Sequence, residues 1–170
     1  MPTRKKYTNV TFTKRVDHEA GRHRTRRSPS EPAVCKSCGA IYAHRRWTLT
    51  PESKDLVRRR AAKRILCPAC KQGASNPSGF VYLKGKFLQT HRDEILHLLR
   101  NEAERDLQDN PLARIVAWEE RASGDLILKT TTEHLAQRLG HALEKAFDGD
   151  VRYDFSHENK LARVYWQRNG

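Results

Sequence analysis

The sequence predicts an α+β fold, in which a small module built on four cysteines precedes an α-β-β-α-β-β domain with an antiparallel or mixed sheet. Two observations support this prediction. The cysteines form two C-x-x-C pairs, at residues 35–38 and 67–70. Beyond residue 89, stretches with apolar residues at helical spacing alternate with stretches in which every second residue is apolar. This order of segments is typical of helices packed on one face of a sheet.

Residues 1–32 are predicted to form a basic, disordered arm. Lys and Arg are interspersed there with Gly, Ser, Thr and Pro, and few apolar residues accompany them. Such a segment cannot bury enough apolar surface to offset the entropy that it would lose on ordering. Its last residues, SPSEP, have the composition of a linker.

Residues 33–89 are predicted to form the cysteine module, which is zinc ribbon-like in its pairing. Thr-Pro at residues 50–51 has the pattern of an N-cap followed by proline at the first helical position, which predicts a helix over residues 52–64. After the second cysteine pair, the apolar stretches 80–83 and 87–88 flank Lys-Gly-Lys. This pattern predicts a short hairpin.

Residues 90–170 are predicted to form the α+β domain. Its helical stretches have apolar residues three and four positions apart, and its strands alternate apolar with polar residues. Thr90 and Thr132 precede the two helical stretches and have side chains suited to an N-cap. In chain order the predicted elements are a helix from 90 to about 107, strands over 114–120 and 126–130, a helix from about 132 to 149, and strands over 151–155 and 162–166.

The two cysteine pairs predict one structural zinc ion bound by Cys35, Cys38, Cys67 and Cys70. Zinc takes four ligands in a tetrahedral arrangement, and each C-x-x-C turn supplies two thiolates. A disulfide framework would need an oxidising compartment, and a thioredoxin-type site would need a single pair on a βαβ scaffold. An iron–sulfur cluster also uses four thiolates and stays open as an alternative. Four thiolates leave no ligand position for water, so the site is predicted to be structural.

Motifs of common catalytic sites are absent from the sequence. It contains no GxxxxGK[ST], GxGxxG, GxSxG or HExxH, and no H-x-E with a P-C-x-x-C of the nucleotide deaminases. The eight His are scattered along the chain, and each is predicted to be a surface or packing residue. The sequence therefore predicts a protein that is not an enzyme.

The net charge of +13 is concentrated in the first part of the chain. Residues 1–71 contain 19 Lys and Arg against five Asp and Glu, whereas residues 72–170 contain 14 against 15. Clustered cations are expected on a surface that binds phosphates, because neutralising a polyanion releases its counterions. An anionic membrane is the less favoured partner, since no amphipathic helix with a bulky apolar face accompanies the charge. The predicted nucleic-acid contacts are Arg22, Arg24, Arg26, Arg27, Arg45, Arg46, Arg58, Arg59, Arg60, Lys63, Arg64, Lys84 and Lys86.

Aromatic residues lie between these cations, at Tyr42, Trp47, Phe80, Tyr82 and Phe87. Aromatic rings stack on unpaired bases while Lys and Arg hold the phosphates. A module this small also needs large rings in its core, and this role is predicted for Trp47 and Phe80.

The expected compartment is the cytoplasm. No apolar stretch approaches the roughly 20 residues that span a bilayer. The first residues are basic but lack the apolar stretch of a secretory signal, and Asp17 and Glu19 are atypical of a mitochondrial presequence.

A series of motifs over residues 33–168 occurs in the same order in a known family. They are Cys35-x-x-Cys38-Gly39, Arg46-Trp47, Cys67-Pro68-x-Cys70, Gly79-Phe80-Val81-Tyr82-Leu83, Pro111-x-x-Arg114-Ile115, Thr131-Thr132 with Leu135-Ala136, Phe147-x-Gly149, and Trp166. On these motifs the chain resembles the zinc-binding N-terminal region of the archaeal and eukaryotic adaptors for nuclear export of the large ribosomal subunit (nonsense-mediated-decay adaptor-like). It also resembles short bacterial proteins of unknown role. The resemblance implies zinc at the four cysteines and association with the ribosome. The adaptors carry further cysteine pairs and long domains with export signals, which this sequence lacks, so nuclear export is not implied.

The expected function is that of a non-enzymatic, zinc-stabilised RNA-binding protein associated with the ribosome, in assembly, stress or dormancy. Its partner would be ribosomal RNA, with a protein partner for the near-neutral C-terminal domain as an addition. Two alternatives remain: a zinc-containing DNA-binding transcription regulator, and a protein–protein adaptor that acts through the C-terminal domain.

Overall fold

A computed structural model describes residues 28–49, 62–156 and 160–170. Most of the predicted arm and residues 52–61 of the predicted helix lie outside the described residues. In chain order the elements are β1 (Ala33–Cys35), β2 (Ile41–Ala43), β3 (Arg46–Thr48), β4 (Lys63–Ile65), α1 (Pro68–Gln72), β5 (Gly79–Lys84), α2 (Lys86–Thr90), α3 (Arg92–Asp109), β6 (Ile115–Glu120), β7 (Leu126–Thr130), α4 (Glu133–Phe147), β8 (Asp150–Ser156) and β9 (Leu161–Gln167).

The first four strands form a small sheet in the order β3-β2-β1-β4. β1 pairs antiparallel with β2, and β2 with β3, whereas β1 pairs parallel with β4. The end of the predicted helix is therefore wrong, because Lys63 and Arg64 belong to a strand. The Lys63 N–H donates to the Pro32 carbonyl at 3.1 Å, and the Lys36 N–H donates to the Ile65 carbonyl at 2.8 Å. Pairing with β1 thus outweighs the helical preference of these residues.

The remaining five strands form a second sheet in the order β6-β7-β5-β9-β8. β5 pairs antiparallel with β7 and parallel with β9, and the other neighbours are antiparallel. The sheet is mixed, which confirms the predicted α+β class. β5 is its central strand, although the sequence pattern grouped residues 79–84 with the cysteine module.

The predicted hairpin over residues 80–88 is wrong, because its second half is helix α2. β7 and β9 occupy both edges of β5, so no edge is left for a hairpin partner. Gly85 turns the chain out of β5 with a φ of 108°, a value that favours glycine. Leu88 of α2 is then fully buried in the core.

The two long helices begin differently. Thr132 caps α4 as predicted, since its hydroxyl accepts from the Leu135 N–H at 3.2 Å. Thr90 does not cap α3; its hydroxyl donates to the Phe87 carbonyl of α2 at 3.2 Å, and the cap position is His91.

The main core lies between α3, α4 and one face of the five-stranded sheet. Gly140 of α4 is needed for this contact, because a Cβ there would lie 2.6 Å from Cγ1 of Val164. Among the described residues, no helix combines the length and the apolar character needed to cross a bilayer. The largest fully buried side chains include Trp166, Leu83, Leu88, Ile95, Leu99, Leu128, Leu135, Leu139, Leu143, Val81 and Val164.

Candidate metal centre

The structure brings the four cysteines together at one end of the small sheet. Cys35 is the last residue of β1, and Cys67 caps the N-terminus of α1 just after β4. Because β1 and β4 are parallel, with Cys35 opposite Ile65, both chain segments leave the sheet at the same end. Cys38 and Cys70 follow one turn later in each segment. All four Sγ atoms lie within 4.8 Å of one another, and none is in a disulfide.

This geometry fits a single metal ion. Four thiolates at about 2.3 Å from a tetrahedral ion such as zinc are separated from one another by about 3.8 Å. The Sγ atoms of Cys38 and Cys67 are 3.7 Å apart. The four-cysteine group is therefore positioned to hold a metal ion, and it supplies sulfur alone, the donor preferred by soft and borderline metals.

Backbone N–H groups are directed at the sulfurs. The Cys67 N–H donates to Sγ of Cys35 at 3.2 Å, and the Cys70 N–H donates to Sγ of Cys67 at 3.5 Å. The turn after β1 needs a φ of 77° at Gly39, whose N–H donates to the Cys35 carbonyl at 2.9 Å. Such donors favour the thiolate form that binds metal.

The environment affects the pKa of Cys35 and of Cys67 in opposite directions. Burial acts most strongly on the pKa of Cys35 and raises it, but backbone N–H donors from Cys38, Cys67 and Ser37 outweigh burial. The net pKa of Cys35 is lowered to about 6. Deeper burial is the main influence at Cys67 and raises its pKa to about 12. These pKa values favour the thiolate form at Cys35 and the protonated thiol at Cys67. A bound cation would favour the thiolate form of both residues.

Arg114 contacts the cysteine centre, although the sequence pattern assigned it no role there. Its Nη2 donates to Sγ of Cys38 at 3.0 Å and lies 3.8 Å from Sγ of Cys67, while its Nη1 donates to Sγ of Cys70 at 3.2 Å. Burial tends to lower the pKa of Arg114, but hydrogen bonds to Cys38 and Cys70 outweigh it and raise the pKa. The guanidinium thus offsets part of the negative charge of the thiolates.

The carbonyl of Pro111 holds this guanidinium in place. It accepts from Nε of Arg114 at 3.1 Å and from Nη2 at 2.9 Å. The Arg114 backbone N–H donates to the Thr131 hydroxyl at 2.9 Å, at the end of β7. The only sequence signal for Arg114 was its place in the Pro111-x-x-Arg114 motif of the resemblance.

Further contacts join the cysteine module to the second sheet. Gln72, at the end of α1, is buried, and its Nε2 donates to the Thr131 carbonyl at 3.0 Å and to the Asn76 carbonyl at 2.7 Å. Leu112 packs against the apolar cluster around the cysteines. The four-cysteine group therefore lies at the junction of the two sheets rather than inside an isolated module.

The predicted nucleic-acid contacts fall into separate groups. Arg46 on β3 and Arg64 on β4 are exposed and lie on the same face of the small sheet, at its two edges. The two strands that carry them are three strand spacings apart, or about 14 Å. Arg45 and Lys63, their neighbours, are exposed as well, as are Lys84 and Lys86 beside the second sheet. Arg22, Arg24, Arg26, Arg27, Arg58, Arg59 and Arg60 lie outside the described residues.

The aromatic residues have more than one role. Trp47 is half-buried; it packs against the apolar cluster around the cysteines, and its ring centroid lies 5.4 Å from that of Tyr42, so it contacts the core without being enclosed in it. The core position predicted for Phe80 is wrong. Phe80 is half-buried and lies on the face of the second sheet that is turned away from the helices.

Comparisons of the chain with protein-family models, with curated proteins and with solved structures give no match. The case for a function therefore comes from the residues of the chain: the cysteine centre, the cations beside it and the two sheets that it joins.

Proposed function

We propose that this chain is a non-enzymatic, zinc-stabilised RNA-binding protein that associates with the ribosome. The observation that carries the proposal is the closed four-cysteine centre with exposed cations at both edges of the sheet that leads into it. Four thiolates and the Arg114 guanidinium surround the centre, so no ligand position is left for substrate or water. A centre of this kind stabilises a fold.

Zinc is the ion that the sulfur geometry favours. Sγ atoms within 4.8 Å of one another suit a single ion, whereas the several irons of a cluster would hold the sulfurs farther apart. An all-sulfur tetrahedral site is typical of structural zinc.

The exposed cations of the small sheet supply the affinity for phosphate. Within the described part of the chain, Arg45, Arg46, Lys63 and Arg64 form no ion pair with a carboxylate. Cations without a carboxylate partner among the described residues remain available to an external polyanion.

RNA is favoured over duplex DNA by the positions of these cations. Lys63 and Arg64 lie on a three-residue edge strand rather than on a helix that could enter the major groove. Folded RNA offers irregular pockets, which suit cations spread over a surface and a cationic arm. The motifs shared with the ribosome-export adaptors point to the ribosome as the source of that RNA.

Co-sedimentation tests the proposal. We expect the full chain to sediment with ribosomes or with one subunit at about 150 mM salt, where nonspecific phosphate contacts weaken. Excess duplex DNA should not displace it. The double variant Arg46→Glu/Arg64→Glu should lose this association, whereas Arg121→Glu/Lys145→Glu, an equal charge change on exposed residues of the β6–β7 turn and of α4, should retain it. If the parent chain stays at the top of the gradient and binds DNA, the result would support a DNA-binding regulator instead.

Deletion of residues 1–30 tests the arm separately. The deletion removes nine Lys and Arg and few apolar residues, and residues 28–30, the part of this segment that the structure describes, belong to neither apolar core cluster. We expect the melting temperature to change little and the RNA affinity to fall. The slope of log K against log salt should decrease by about 0.7 to 0.9 for each phosphate that the arm had neutralised. An unchanged slope would show that the arm does not bind phosphate.

A further inference from the structure

The small sheet has two chemically different ends. The cysteines lie at the end where β1 finishes at Cys35. The opposite end contains the start of β1, the start of β4 and the turn between β2 and β3, because β1 pairs parallel with β4 and antiparallel with β2. Three exposed cations lie at this opposite end, which we call the cationic end: Arg45 in the turn, Arg46 at the start of β3 and Lys63 at the start of β4.

The turn at the cationic end has an uncommon backbone. His44 and Arg45 connect β2 to β3, and their φ values are 51° and 63°. Two-residue hairpin turns with positive φ at both positions usually contain Asn-Gly or Asp-Gly. Most other residues are disfavoured in this left-handed region, because their Cβ atom crowds the following carbonyl oxygen. A contact from outside the turn is therefore needed to hold this conformation.

The Glu31 carboxylate supplies that contact. The His44 N–H donates to Oε2 of Glu31 at 3.1 Å, and the Arg45 N–H donates to Oε1 at 2.9 Å. Both carboxylate oxygens are thus bonded to the turn, although Glu31 itself is exposed. Hydrogen bonds to a charged acceptor are about twice as strong as those between neutral groups. Glu31 therefore holds the turn from which the side chains of Arg45 and Arg46 extend.

The base of the predicted arm is bonded to the same end of the sheet. Glu31 and Pro32 are its last two residues, and the Pro32 carbonyl accepts from the Lys63 N–H at 3.1 Å. Arg26 and Arg27 lie five and four residues before Glu31, a length of chain that spans at most about 18 Å. These cations of the arm therefore stay close to the cationic end.

We propose that Glu31 is a positioning residue for RNA binding, which directs Arg45 and Arg46 toward phosphates by holding the β2–β3 turn. The inference rests on the proposed RNA-binding function and identifies the residue that organises its contact surface. By charge alone, loss of the carboxylate would strengthen RNA binding, because phosphate is also negative. Positioning predicts the opposite sign.

The salt concentration of the cell favours the positioning effect over the charge effect. At about 150 mM salt the Debye length is about 8 Å, so repulsion between the exposed carboxylate and phosphates beyond that distance is largely screened. The hydrogen bonds from Glu31 to the turn, at 2.9 and 3.1 Å, lie well inside this length.

The test uses the full chain and a fluorescein-labelled RNA hairpin of about 20 nucleotides, with binding followed by anisotropy at about 150 mM salt. We expect Glu31→Gln to weaken binding by about 2- to 12-fold, the effect of losing one hydrogen bond, because glutamine keeps one acceptor oxygen and loses the other. The amides of residues 44 and 45 should exchange hydrogen faster than in the parent. Zinc content and the amide protection of β5 should stay unchanged, which shows that the variant is folded.

The double variant Glu31→Gln/His44→Asn separates position from charge. Asparagine favours the first position of such a turn and stabilises it without the carboxylate. The double variant has the same charge as Glu31→Gln, yet we expect it to bind RNA at least as tightly as the parent. His44→Asn alone is the matched control and should bind like the parent.

Two results would overturn the inference. One is parent-like or tighter RNA binding by Glu31→Gln, which would show that the carboxylate acts only through its charge or not at all. The other is a double variant that binds as weakly as Glu31→Gln, which would show that the turn conformation is not the cause. If the parent chain binds neither the RNA hairpin nor ribosomes, the proposed function itself fails.

Discussion

Replacement of Cys67 by serine is expected to abolish stoichiometric zinc binding and to unfold the small sheet. Cys67 is fully buried, caps α1 and has its Sγ atom 3.7 Å from that of Cys38, so its loss removes a candidate ligand and a structural contact together. Structural zinc contributes roughly 10–16 kcal/mol of binding free energy in zinc-finger peptides, which is coupled to folding. The apolar cluster around the cysteines contains only four buried residues and cannot replace that contribution.

Metal analysis and hydrogen exchange measure this result. The parent should contain one zinc per chain, and Cys67→Ser should contain none and lose amide protection over residues 33–49. Protection of the second sheet should persist in part, because its own core has 16 buried residues. Ser37→Ala, an exposed change in the first cysteine turn, is the matched control and should retain zinc. Iron with visible absorption, or two disulfides without metal, would contradict the zinc assignment.

Replacement of Arg114 by glutamine is expected to weaken zinc affinity by about 10- to 100-fold, the usual effect of losing a residue that hydrogen-bonds metal ligands. The guanidinium donates to Cys38 and Cys70 and approaches Cys67, and no other cation of the described residues contacts these sulfurs. Without it, the excess negative charge of four thiolates around a divalent ion would lose the cation that hydrogen-bonds to the sulfurs. The thiols should then release zinc and react with disulfide reagents faster.

Competition with a chromophoric chelator measures the affinity of the Arg114 variants. The zinc affinity of Arg114→Lys should lie between those of the parent and Arg114→Gln. Lysine keeps the positive charge but lacks the planar guanidinium group that contacts several sulfurs. Arg121→Gln, an exposed arginine of the β6–β7 turn, should behave as the parent. Parent-like affinity in Arg114→Gln would show that the hydrogen bonds to the sulfurs have no role in holding the metal.

The α+β class and most elements beyond residue 90 follow from the sequence because their signals are local. Apolar spacing identifies α3, α4 and the four strands β6 to β9, and the hydroxyl of Thr132 marks a helix start at the place observed. The cysteine quartet is also a local signal, since each C-x-x-C turn is complete within four residues. The helix predicted over residues 52–61 and the arm lie outside the described residues and stay predictions.

Short segments were decided by pairing partners that are distant in sequence. Lys63–Ile65 forms a strand because it pairs parallel with β1. Lys86–Thr90 forms a helix because β7 and β9 already pair with the two edges of β5. A three- to five-residue segment has too little intrinsic preference to resist such contacts.

The sequence by itself determined the α+β class, the four cysteines that are positioned to hold a metal ion and the basic character of the first half, all of which depend on composition or on spacing within a few residues. Only the tertiary structure decided that Arg114 meets sulfurs 44 to 76 residues away, and that the Tyr165 ring stacks on the Tyr82 ring. The physical reason is that sheet register and the packing of the two sheets set these contacts. Neither is encoded in the residues next to Arg114 or Tyr165.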